Sequence, residues 1–184
     1  MTLALDRGCR PARGRRDGAA RLAVVVALVS VCASVGAQQL LDRILARVSG
    51  RPITLTDVTL ARGLGMVDAA PGEDAEAGSV RQLIERQLIT MEMTRLQVRE
   101  PTPEAIEAEV ARMRARAGGS FDRLLRSTGS DVAAVRELAR ETLRIDAYIR
   151  QRFGPNVAPS SAEVRAWLTD LRGRTQVEIV PERR

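Results

Sequence analysis

Within residues 41–58, LDRILARVSGRPITLTDV, apolar spacing changes from a two-residue to a helical period in eighteen residues, and that switch constrains the fold more than any other stretch. Ile44, Ala46 and Val48 alternate with Leu45 and Arg47, which predicts a strand with one apolar face. Ser49-Gly50 reads as a turn. Pro52 has no amide hydrogen to give a ladder, so Arg51-Pro52-Ile53 is expected to form only a short strand at a sheet edge. Thr54 stands where a helix cap belongs, and Asp57 three residues on completes a capping-box variant while meeting the positive helix end. A two-stranded ribbon is marginal in water, so another strand is required. Residues 175–180, TQVEIV, alternate and stop at Pro181, and they are expected to pair with residues 41–48 and tie the two ends of the folded chain together.

Between these ends the sequence reads as helices with legible boundaries. Residues 68–78 form an acidic, Gly/Ala/Pro-rich connection expected to be a flexible loop, after which Ser79 and Gln82 read as a capping box. Val80, Leu83, Ile84, Leu88 and Met91 then line one face of a helix running to about Leu96. Thr102 caps the next, with Pro103 at its first position, and Ile106, Val110, Met113 and Ala117 recur at helical spacing up to Gly118-Gly119. Ser120 opens a short helix carrying Phe121, Leu124 and Leu125 and ending at Gly129. A long helix follows from Ser130 or Asp131 through Val135, Leu138, Leu143, Ile145 and Ile149 to Phe153, stopped by Gly154-Pro155. Ser160 with Glu163 reads as a third capping box ahead of Val164, Trp167 and Leu171. The fold class expected is mostly α with a small antiparallel sheet of two or three strands.

Residues 1–37 read as an export signal. Six arginines head a fourteen-residue apolar run, residues 22–35, and small residues lead to an expected cleavage between Ala37 and Gln38. The run falls short of the ~20 residues of a spanning helix, so an uncleaved membrane anchor is the alternative rather than the first reading. Val31 before Cys32 argues against a lipoprotein signal, and Asp17-Gly18-Ala19 after Arg15-Arg16 against a twin-arginine one. The six arginines and two aspartates of this segment account for four of the six net positive charges, leaving +2 on residues 38–184. Both cysteines, Cys9 and Cys32, also fall in it, so an exported domain held by packing without disulfides is expected over residues 38–184. A chain of that length buries roughly 68–70% of its unfolded surface, enough for one domain.

The residue types argue for binding rather than catalysis. The chain has no His, and residues 38–184 have no Cys, which removes the common nucleophile–base pairs and the commonest metal ligands. No cofactor is expected. Of the carboxylate pairs, Glu104 and Glu107 suit a helix's first turn and Glu73 and Asp74 a solvated loop. Arg136, Arg140 and Arg144 form a stripe that could follow phosphates, but Glu137 and Glu141 lie three residues before the last two, so a mixed-charge solvated face is expected. With Phe121, Tyr148, Phe153 and Trp167 as its four aromatic residues, the chain also lacks stacking platforms, and nucleic-acid binding is disfavoured.

Four segments together resemble a known family: LDRILARVSGRPITLTDV; the helices LIERQLITMEMTRLQV and PTPEAIEAEV; the F-x-x-L-L-x-x-x-G run at residues 121–129; and the long helix ending YIRQRFG. They look like the amino-terminal core of SurA-type periplasmic chaperones, and AWLTDLRGRTQVEIVP, residues 166–181, is similar to the carboxy-terminal helix and strand that return to that core. Such proteins usually carry parvulin-like prolyl isomerase domains between the two parts, whereas here residues 154–160 alone separate them. The resemblance therefore implies the chaperone half: a periplasmic, non-enzymatic binder of unfolded outer-membrane or secreted clients. An envelope protein with one dedicated partner is the first alternative, and a prolyl isomerase working on the core alone a disfavoured second. Met66, Met91, Met93 and Met113 are candidate client contacts, since thioethers suit adaptable surfaces; Met91 and Met113 fall on core stripes, Met93 and Met66 off them. Trp167, beside Val164 and Leu171, is expected in the core.

Overall fold

The computed structural model describes residues 42–68, 72–94, 98–158 and 160–181. The expected signal segment and the expected cleavage between Ala37 and Gln38 lie outside the described residues. The described residues open with strand β1 (Ile44–Val48), a turn, and strand β2 (Arg51–Thr54) leading directly into helix α1 (Leu55–Gly63). Helices α2 (Ala75–Met93) and α3 (Pro103–Ala117) follow, then a 3-10 turn (Gly118–Ser120), α4 (Phe121–Thr128), α5 (Val132–Phe153) and α6 (Ala162–Arg174), and strand β3 (Val177–Ile179) ends the fold. The sheet order is β2-β1-β3, antiparallel throughout, so the strand from the end of the chain does pair with the strand from its start. Val177 lies opposite Val48 and Ile179 opposite Ala46.

The hairpin between β1 and β2 turns at Ser49 and Gly50, both with positive φ (47° and 80°), as a two-residue turn matched to strand twist requires. Pro52 sits in the edge strand β2 opposite Arg47. One expectation is corrected in β1. Ile44 pairs with Thr54 but Ala46 with Ile53, so Leu45 is the extra residue of a bulge. Strict alternation breaks there, and Leu45, assigned to the polar face by periodicity, is buried with Ala46 and Val48, while Ile44 is half-buried.

Helix starts follow side-chain chemistry. Thr54 Oγ1 accepts from the Asp57 amide and the Asp57 carboxylate accepts from the Thr54 amide, closing the capping box. Thr102 caps α3 ahead of Pro103, and Asp131 caps α5. Two starts differ from expectation. Helix α2 begins at Ala75, with Asp74 accepting from the Ala77 amide; Ser79 is buried a turn inside it, its hydroxyl donating to Ala75 O. The end of the acidic connection, residues 75–78, is thus helix rather than loop, and Gln82 instead ties back to Asp68. Helix α6 is capped by Ser161, which accepts from the Val164 amide, and Ser160 gives its carbonyl to Arg165. The short helix α4 has no side-chain cap, for Ser120 donates back to Ala117 O.

Two apolar cores result. The first joins the sheet to α2, α6 and the second half of α5 through Leu45, Val48, Ile84, Leu88, Tyr148 and Val164. The second gathers α1, α3, α4 and the first half of α5 around Leu64, Met113, Phe121 and Val135. Helix α5 is common to both. Gly65 (φ 62°) ends α1, with Met66 N–H donating to Ala61 O and Gly65 N–H to Arg62 O; Arg116 packs over it and donates to Leu64 O.

Candidate functional site

The sheet presents two different edges. On β3, Val180 N–H donates to Leu45 O and Gln176 O accepts from Ser49 N–H, which places Glu178 in the hydrogen-bonded pair with Arg47. The main-chain groups of Val177 and Ile179 consequently point away from β1. On β2 the corresponding outward amide is missing, because Pro52 stands opposite Arg47, whose own groups face β3. One edge is blunted and the other carries a full set of donors and acceptors. Ile179 on that edge is 58% exposed, among the most exposed large apolar side chains of the described residues.

Beside β3 lies a groove of about 450 Å³. Leu45, Val80 and Ile84 give it apolar walls together with Ile179 and Val180. Its rim is charged: Glu76 is held by Arg43 at 2.6 Å, Glu73 by Arg81 at 3.0 Å, and Arg172 comes from the end of α6. The hydrogen bond from Arg81 to Glu73 raises the Arg81 pKa, against a smaller lowering by burial. Leu45, the extra residue of the β1 bulge, forms part of the groove's wall. Sequence periodicity marks strand β3 through TQVEIV but carries no sign of which edge it leaves bare or of the bulge, so the groove lay outside the sequence reading.

The methionines divide differently from their expected phases. Met113 is fully enclosed in the second core, as its stripe predicts, and Met93, expected off the stripe, is 2% exposed in the first core. Neither thioether is accessible to a client in this conformation. Met91, expected in the core, is half-buried at the wall of a third depression with Leu88 and Leu171. Met66 is half-buried and lines a cleft of about 230 Å³ between β2, α1, α2 and α5. The phase shifts because α2 packs against β1, α1, α5 and α6 at once, which buries Ile89 and Met93 along with Val80, Ile84 and Leu88.

The charged candidates serve the fold. Glu104, in the first turn of α3, has its pKa lowered by its own backbone amide and by the Thr102 hydroxyl. Glu107 pairs with Arg136 at 2.5 Å, and Asp74 is the α2 cap. Of the arginine stripe, Arg140 pairs with Glu137 as expected, but Arg144 reaches Glu100 rather than Glu141, which accepts from Thr90. Among the described residues no group of three or more Asp and Glu side chains is placed to hold a metal ion, and no helix is long and apolar enough to cross a membrane. Trp167 is half-buried rather than enclosed, 5.9 Å from the Tyr148 ring and 5.4 Å from Phe153, with the Arg152 guanidinium 5.0 Å over it. Set against protein-family models, curated proteins and solved structures, the chain matches none.

Proposed function

We propose that this protein is an exported, periplasmic binder of extended polypeptide that acts without catalysis, taking unfolded segments of outer-membrane or secreted clients as an added strand along β3. The single observation carrying this reading is the pairing of a bare strand edge with an apolar groove next to it. Main-chain hydrogen bonds to Val177 and Ile179 supply sequence-independent affinity, and alternate client side chains enter the groove between Ile179, Val80 and Ile84. The SurA-type segments quoted above support the same reading. Release needs no nucleotide, because an edge of three residues holds any one segment weakly.

Light scattering of a diluted, urea-unfolded outer-membrane protein tests it. The wild-type protein at severalfold molar excess should suppress aggregation, and the Ile179→Pro variant, which lacks the outward amide but keeps every β1–β3 hydrogen bond, should not. No suppression by the wild type, or equal suppression by both, contradicts the proposal.

A further inference from the structure

We infer that the cleft between β2, α1, α2 and α5 is a second binding site, shaped for a peptide's free carboxy terminus: the terminal carboxylate on Arg86 and the last, apolar side chain between Leu60, Met66, Leu83 and Leu138. Arg86 is what sets this cleft apart. Several arginines nearby hold carboxylates: Arg81 holds Glu73 and Glu85, Arg112 and Arg116 on α3 share Glu109, and Arg144 meets Glu100. Arg86, half-buried at the seam of the two cores, has one hydrogen bond, to Thr142 Oγ1 at 3.0 Å, and no ion pair among the described residues. A guanidinium has five N–H donors, and those of Arg86 that Thr142 leaves free belong to nitrogens that solvent still reaches, on the wall of the cleft. Burial lowers its pKa, with Glu141, Asp146 and Glu109 too distant for contact and only partly offsetting that effect.

An arginine with no ion pair and with donors open on the wall of an apolar cleft is placed to take an incoming anion. The two carboxylates lining the cleft are engaged: Asp57 in the α1 capping box and Glu141 with the Thr90 hydroxyl. Glu141 acts on Arg86 through space, and neither carboxylate forms an ion pair with it. An incoming carboxylate forms the paired, charge-assisted contact that arginine favours. The remaining lone pairs of Glu141 and the Gln87 amide can accept the last residue's N–H. A mid-chain acidic side chain fits less well, since it brings flanking amides on both sides into a cleft with few acceptors. Capture of a chain terminus is an established mode of peptide recognition, and here it stands apart from the β3 edge.

Fluorescence anisotropy with a labelled hexapeptide ending Val-Leu, as free acid and as carboxy-terminal amide, tests the inference. The free acid should bind at least tenfold tighter than the amide. Arg86→Met should erase that preference while melting no lower than the wild type, and Leu138→Trp, which fills the cleft with Arg86 in place, should lose the peptide. Ile179→Pro should leave the preference intact, which separates this site from the strand edge. Acid and amide binding alike, or not at all at millimolar concentration, overturns the inference. A preference that survives Arg86→Met, or disappears in Ile179→Pro, does so equally.

Discussion

At the scale of single residues, polar side chains decide where the chain bends and apolar ones what those bends bury. Trp167 illustrates the balance. It bridges Tyr148, Phe153 and Arg152 but stays half-buried, so Trp167→Ala should lower stability by less than the ~3–5 kcal/mol typical of an enclosed tryptophan, measurable by urea denaturation. Asp146 illustrates a cost. Burial raises its pKa, more than Arg150 and Arg86 lower it. A carboxyl whose folded pKa exceeds its unfolded one opposes folding when ionised, and that opposition fades as pH falls through the folded value. Asp146→Asn should therefore raise the melting temperature at pH 7, with the gain shrinking toward acid pH. A gain that grows toward acid pH would reverse the sign of this account.

At the scale of elements, the sequence exposes those boundaries whose chemistry has no competitor nearby. Thr54 with Asp57, Thr102 with Pro103, and the stop at Gly154 each stand alone and each fall where expected. Where two caps compete, the sequence misleads. Asp74 starts α2 because the extra turn carries Glu76 to Arg43 on the segment before β1, an interaction over thirty-three positions that no local pattern reveals. Asp74→Ala should accordingly cost about 1 kcal/mol by thermal or urea melting, and no loss in that variant would instead favour a start at Ser79. The phases of α2 were hidden for a related reason: an amphipathic pattern assumes one covered face, and α2 is covered from several sides. The bulge at Leu45 gave no local signal either, since it depends on how β1 meets β2.

At the scale of the whole molecule, joining the two ends of the folded chain builds the architecture and leaves its opening. Alternation at both ends, with too few strands between, was enough to foresee the β1–β3 pairing. The asymmetry of the sheet follows from it: Pro52 seals one side, and β3, at the other edge, leaves that side bare beside the groove that Leu45, Val80 and Ile84 line. The most direct measurement is residue-resolved amide hydrogen exchange with and without a saturating unfolded client. The Glu178 amide, bonded to β1, should be protected in both states, while Val177 and Ile179 exchange rapidly alone and slow at least tenfold with client bound. Unchanged exchange at Val177 and Ile179 with client bound would contradict the account.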